Sequence, residues 1–500
     1  MAPRLRLFAA SAAVLFAAWL PRLVPNSYST DDYILLHGEP LSQSLHMYAA
    51  QGRFGMAALH LGLSSLGVSP IHAYTLLNLA AVLLLAGASV WLVRLWDLED
   101  AGLSPYLIGP LAFAHPFAAE TWSFRIGPIY FAAAMALALY GLFLIRRGRG
   151  RTLIGAALII VSLSIYQVGL NPLLVAIGIG ACLDLWRVAP DRSLPRPWND
   201  AVATLDREAI KATLKVWTIT LGVVLAACLV YFVLIKIALA VLQIEVEARA
   251  GFLIPSELGW RVKQVVRLLP RLLGRDHQLG APLLNALQLG ILALALGLAT
   301  VRVKTDGVVR LGLTIALLFL SLLGVIGIHG ALRVFSPWPR SLTALGLFWA
   351  GVVAVAFTLG TPRLQKLSIG FALLIGFGYL GIDHRVASEQ LRLNARELAL
   401  AGRILERLEA NPKSAEVRRV VAIGHAPNYP DLETAGGDLN VSALFIPWSQ
   451  SAIVAEVSGK PLGPPSDEDR ARGARRCSTA PKWPADGAVV IDGDVGIVCF

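Results

Sequence analysis

The chain has 500 residues, 56% of them hydrophobic and only 15% charged, with a mean hydropathy of +0.63. An ordinary soluble domain carries about 25% charged residues, so this composition cannot coat a water-facing surface, and a soluble globular enzyme is excluded. The net charge of +11 divides into +13 in the first 382 residues (30 basic and 17 acidic) and −2 from Asp383 on (14 and 16), and in an apolar chain such an excess speaks for orientation or lipid phosphate, not nucleic acid.

The apolar residues come in runs such as "LFAASAAVLFAAWL", "TLLNLAAVLLLAGASVWLV", "TLIGAALIIVSLSIY" and "LGLTIALLFLSLLGVIGI". Each is near the length that crosses about 30 Å of hydrocarbon as a helix. Backbone groups in lipid must be satisfied within the segment, and the alternating pattern of a transmembrane β-barrel is missing. The fold class is therefore an α-helical polytopic membrane protein of about eleven transmembrane helices. The expected spans are 5–24, 71–93, 103–122, 127–145, 152–167, 169–186, 214–241, 281–300, 308–328, 341–360 and 364–382. Residues 54–69 are ambiguous between an interfacial segment and a further span.

Orientation follows from the basic clusters. Arg4 and Arg6 before the first run, "RRGRGR" at Arg146–Arg151, the cluster of Arg302, Lys304 and Arg310, and Arg363 with Lys366 mark the cytoplasmic side. Parity then puts residues 25–70, 243–278, the turn "HGALRVFSPWPRS" and everything after Asp383 on the outer side. Two domains result: a transmembrane unit, 1–382, and an extracytoplasmic unit, 383–500.

The first outer loop, "NSYSTDDYILLHGEPLSQSLHMYAAQGRFG", is the most informative stretch. Asp31 and Asp32 follow the first helix, with Glu39 and Arg53 behind them. Paired carboxylates suit a helix end at the water interface; they also suit a general base with a second acid that positions it or a divalent cation such as Mg or Mn. Mutual repulsion raises one of the two pKa values toward a base's working range. Other outer turns add His115, Glu120 and Arg125 in "HPFAAETWSFR", Tyr166 and Gln167 in "SIYQ", and His329, Arg333, Trp338 and Arg340 before a late helix. Ionisable groups from several turns at one edge of the bilayer point to a pocket there.

In "WRVKQVVRLLPRLLGR", Lys263, Arg267, Arg271 and Arg275 recur every fourth residue opposite Val and Leu, the pattern of a helix lying on a membrane surface. Pro270 is expected to kink it. In the last 118 residues, "RLNARELALAGRILERLEANP" reads as an amphipathic helix closed by Asn-Pro. "VRRVVAIGH" and "GAVVIDGDVGIVCF" read as strands, giving a small α/β domain. Cys477 and Cys499 sit there in an oxidising compartment and are candidates to pair; Cys182 and Cys228 fall within spans as buried thiols. The CxxC, HExxH and P-loop patterns are absent, and the nine histidines lack ligand spacing.

At "DDY", "QGRFG", "HPFAAETWSFR", "SIYQ" and the Arg-containing turn before a late helix, in that order across 25–345, the chain resembles the Gtr-type membrane glucosyltransferases of the GT-C superfamily. The resemblance implies a polyprenyl-phosphate-linked sugar, glucose, as donor. It implies a glycan or lipopolysaccharide O-antigen hydroxyl as acceptor, at the outer face of a bacterial inner membrane. It also implies that Asp31 or Asp32 takes the acceptor proton and that the sugar carbon is displaced from phosphate with inversion. Arg53, Arg125 and Arg333 become candidates to hold the leaving phosphate, and Glu39, Glu120, Tyr166 and Gln167 candidates to contact sugar or acceptor. "GEP" departs from the family by placing an acid at Glu39. A glycolipid transporter or flippase, or an O-antigen ligase or polymerase, stays open as an alternative; the first would show internal repeats and mid-membrane charges, and none stands out.

Overall fold

The computed structural model describes every residue except 1–2, 24–26, 38–40, 188–198, 246–250, 252, 275, 277–278, 280, 307, 426–428 and 436–438. Glu39 and Arg275 therefore lie outside the described residues. The apolar runs are helices, as their lack of turn residues requires. In chain order come α1 (Pro3–Leu23), α2 (Thr30–His37), α3 (Leu41–Ala50), α4 (Phe54–Ser65), α5 (Tyr74–Leu95), α6 (Ser104–Phe113), α7 (Ala119–Ser123), α8 (Gly127–Arg146), α9 (Arg149–Ile165) and α10 (Leu170–Arg187). They are followed by α11 (Asn199–Leu242), α12 (Leu258–Leu272), α13 (Pro282–Asp306), α14 (Val308–Ile326), α15 (Ala344–Leu359) and α16 (Pro362–Glu409).

Eight of the described helices are long and apolar enough to cross a membrane, and Gly150–Ile165 and Ala344–Leu359 are shorter apolar helices. Many turn large apolar side chains outward: Phe377 is 80% and Leu229 68% exposed. Water would penalise such a surface and hydrocarbon would not, so this is a helical polytopic membrane protein.

One expected span is corrected. Residues 103–122 are not a single crossing helix: α6 stops at Phe113, because Pro116 disfavours helical backbone at His115. His115 is extended instead, and its Nδ1 accepts from the Phe117 N–H to start a 3-10 turn that leads into α7. In the ambiguous segment after Arg53, the 12 residues of α4 rise about 18 Å, short of the hydrocarbon thickness of about 30 Å.

Bundle packing is close where small residues meet. A Cβ on Gly141 of α8 would lie 2.7 Å from the Gly155 carbonyl oxygen of α9, and one on Gly155 2.4 Å from that of Gly141. Only glycine at both positions lets these backbones touch. The 20 residues of α8 span about 30 Å, which separates two chemically different ends. At its C-terminal end Arg146 and Arg187 both pair with Asp184, at 3.0 and 3.1 Å. At its N-terminal end gather Arg125, the last residues of α9, the start of α10 and the turn before α15.

Helix α16 has 48 residues and no break between its apolar first part and its amphipathic second part, so residue 383 lies inside a continuous helix. Its Leu400, Ala401, Ile404 and Leu408 enter a second core with Val420, Val454 and Val498. That core belongs to a unit of β1 (Arg419–Ile423), α17 (Gln450–Ser458), α18 (Asp467–Cys477), β2 (Val489–Asp492) and β3 (Val495–Cys499). The sheet order is β1-β3-β2, with β1 parallel to β3 (Val421 opposite Ile497) and β2 antiparallel to it (Val490 opposite Ile497). Cys477 and Cys499 form a disulfide that ties α18 to β3. Tyr33 of α2 is fully buried in the same core, so the segment carrying the acidic pair packs on the C-terminal unit.

Candidate active site

The pair "DD" sits in the first turn of α2. Ser29 and Asp32 cap that turn reciprocally: Asp32 Oδ2 accepts from the Ser29 N–H (2.7 Å), and Ser29 Oγ accepts from the Asp32 N–H (3.4 Å). Ser29 Oγ is also 2.8 Å from Asp32 Oδ2, and the backbone N–H of Arg125 donates to both Asp32 oxygens at 3.0 and 3.3 Å. Asp32 is fully buried, and burial pushes its pKa up to about 6, against the hydrogen bonds from Ser29 and Arg125. Repulsion from Asp31 is the smallest of the contributions, so burial is the main cause of the raised pKa.

Asp31 faces the other way. It is exposed, and its Oδ1 accepts from Thr30 Oγ1 (3.3 Å) and from the indole N–H of Trp448 (3.0 Å). Both oxygens of Asp32 accept hydrogen bonds, and among the described residues no group of three or more His, Cys, Asp or Glu is placed to hold a metal ion.

The arginines separate by surroundings. Arg340 pairs with the buried Glu120 through its guanidinium, and its backbone N–H donates to Glu120 Oε2 at 2.8 Å. Partial burial works to lower the Arg340 pKa, but Glu120, Tyr166 and Asp31 outweigh it and hold the pKa above the ordinary arginine value. Arg340 therefore sits in the field of Asp31. Arg53 stands over the Tyr166 ring at 5.0 Å, and its Nε donates to Gln167 Oε1 at 3.4 Å. Gly52, at φ +76°, turns the chain just before it and offers its carbonyl to Tyr231 Oη at 3.0 Å. A Cβ at Gly52 would come within 2.8 Å of Ile235.

Arg125 is 7% exposed and lies between the rings of Tyr28 (3.6 Å) and Tyr74 (4.2 Å), with its Nε on the Ser27 carbonyl. Such a guanidinium braces the first loop. Arg333, 59% exposed, lies 3.8 Å from Glu257, and its backbone bonds to Gly251 and Arg261. The structure thus brings Asp31, Glu120, Tyr166, Gln167, Arg53 and Arg340 to one end of the bundle and leaves Arg333 at α12.

Two contributors escape sequence reasoning. Asn171 is fully buried; its Nδ2 donates to the carbonyls of Val325 and Ser341, and its Oδ1 accepts from the Ile328 N–H. It thereby fixes the turn that carries Arg340. Trp448 comes from the C-terminal unit, and nothing in its local sequence marks it.

Residues 20–350 match the family described as glucosyl transferase GtrII. The chain belongs to that family. No curated relative and no solved structure matches it. Membership decides between the open classes: a GtrII-family chain is a glucosyltransferase, with a sugar donor and an acceptor, and a transporter loses its support. The matched stretch includes the acidic pair, Arg53, Glu120, Arg125, Tyr166, Gln167 and Arg340. It stops before α16 and the C-terminal unit, so Trp448 lies outside the matched residues.

Proposed function

We propose that this GtrII-family glucosyltransferase moves glucose from a polyprenyl-phosphate donor to a hydroxyl of a glycan or lipopolysaccharide O-antigen, by the inverting GT-C route. The reaction runs at the outer face of a bacterial inner membrane, with the C-terminal unit on that side. The observation that carries this reading is an exposed carboxylate, Asp31, in the first turn of α2 and bonded to Trp448, at the end of the bundle where Arg340 pairs with Glu120. Asp31 takes the proton of the acceptor hydroxyl as its oxygen attacks the anomeric carbon. The bond from that carbon to phosphate oxygen breaks, and the polyprenyl phosphate leaves with the electron pair. Arg340 and Arg53 are assigned to the phosphate oxygens, where a guanidinium neutralises the leaving charge with paired N–H donors. Tyr166 and Gln167 hydrogen-bond the sugar. Asp32 and Arg125 position the loop and do not react.

Membranes bearing the single variants, supplied with polyprenyl-phosphoglucose and O-polysaccharide, test this. Asp31→Asn should lose transfer by about a thousandfold, the scale of a missing general base, while its donor KM stays near that of the wild type. Arg340→Ala should raise the donor KM more than Arg333→Ala does. Full activity in Asp31→Asn sinks the mechanism.

A further inference from the structure

Trp448 stands 43% exposed with its indole N–H on Asp31 Oδ1 at 3.0 Å. A second half-exposed indole, Trp338 (38%), lies 5.7 Å from the Arg340 guanidinium, which is itself in the field of Asp31. Large exposed rings that border a charged couple present flat apolar faces beside hydrogen-bonding groups. That combination matches a pyranose ring, which has an apolar C–H face and a hydroxylated rim.

The loop bearing Trp448 is held in advance. Buried Glu397 of α16 accepts from Ser442 Oγ and from the Ala443 N–H. Fully buried Ser449 donates to the Ala443 carbonyl at 2.7 Å, and buried Gln450 reaches the Ala422 carbonyl of β1 at 3.1 Å. His37, at the far end of α2, pairs with Glu456 of α17 at 2.7 Å. Helix α2 and the Trp448 loop are thus clamped to the same unit, and little ordering cost remains for a ligand placed between them.

We infer that the C-terminal unit, through Trp448 and together with Trp338 beside Arg340, forms the subsite for the sugar ring of the acceptor glycan. This rests on the reading of Asp31 as the base. The incoming ring stacks on the Trp448 indole with the reacting hydroxyl directed at Asp31, while the Trp448 N–H holds Oδ1 and leaves Oδ2 to the proton. Trp448 lies outside the family-matched residues 20–350.

The full chain in lipid discs is the material for the test, with polyprenyl-phosphoglucose as donor, delipidated O-polysaccharide as acceptor probe and dextran as control. Trp448→Ala should raise the acceptor KM about tenfold, the scale of one lost ring stack, with the donor KM within about twofold. Trp448→Phe, which keeps a ring and loses the N–H, should recover most of the acceptor affinity, and Trp338→Ala should act in the same direction as Trp448→Ala. Saturation-transfer NMR on the polysaccharide should show its ring protons contacting the wild type and not Trp448→Ala. An acceptor KM unchanged in Trp448→Ala overturns the inference. So does a Trp448→Phe as defective as Trp448→Ala, which would make the indole only a brace for Asp31, or a loss of thermal stability in lipid without loss of glycan contact, which would make it a membrane anchor. If the wild type transfers no glucose at all, the functional reading fails, and the NMR contact still decides the subsite.

Discussion

At the scale of single residues, the neighbours Asp31 and Asp32 have opposite surroundings, and the difference comes from far along the chain. Asp32 is buried because the backbone of Arg125 closes over it, and Asp31 is left open to solvent beside Trp448. The sequence marks "DD" as chemically interesting; which member is buried depends on contacts 93 and 417 residues away, which no local pattern carries. The same holds for Glu120 and Arg340, 220 residues apart. The raised Asp32 pKa has a testable sign. The folded protein holds this proton up to about pH 6, the unfolded chain only up to about pH 4. Stability from this group is therefore full below pH 4 and falls as pH rises toward 6. The thermal midpoint in detergent should decline over that window for the wild type. In Asp32→Asn that decline should be shallower, with the part from buried Glu397, whose pKa burial raises to about 7, remaining, and on a lower baseline because the amide NH2 opposes the N–H groups of Ser29 and Arg125. Parallel curves for the two proteins would show that Asp32 does not titrate there.

At the scale of elements, hydropathy locates the helices and breakers decide where they end. The run 103–122 reads as one span by composition, yet Pro110 and Pro116 were in plain view, and the helix stops before the second. Conversely, no proline or glycine pair interrupts the chain from Leu380 to Glu409, so α16 continues from the bundle into the C-terminal unit. The expected amphipathic helix and its Asn-Pro stop are its second half. What composition could not reveal is the clasp by Asn171, since a buried asparagine in an apolar run looks like any polar interruption. Replacing it with leucine strands two carbonyls and one N–H, each costing about 1–3 kcal/mol when buried unpaired. Asn171→Leu should lower the thermal midpoint by several degrees and reduce transfer by loosening the turn that holds Arg340. A variant that melts and transfers like the wild type would show that the turn is held by other contacts.

At the scale of the whole molecule, the uneven charge already separates a basic bundle from a slightly acidic C-terminal unit, and the two strand segments of that unit are legible as runs of Val and Ile. Its docking is not legible, because the surface it meets includes Tyr33 and His37 of α2, near the other end of the chain. The disulfide between Cys477 and Cys499 links α18 to the central strand of the sheet, closing a loop over a separation of 22 residues, and is worth about 3 kcal/mol to the unit that it ties. The bundle has no such tie and should be indifferent to reduction. Dithiothreitol, or the double replacement of Cys477 and Cys499 by serine, should therefore make the region after Glu409 sensitive to limited proteolysis while the helices of the bundle stay protected. Because this unit presents Trp448 to Asp31, transfer should fall at low acceptor concentration and recover in part at high. If reduction leaves the proteolysis pattern and the acceptor KM as they were, the C-terminal unit holds without its disulfide. Loss of protection in the bundle instead would mean that the bundle depends on the C-terminal unit for its own stability.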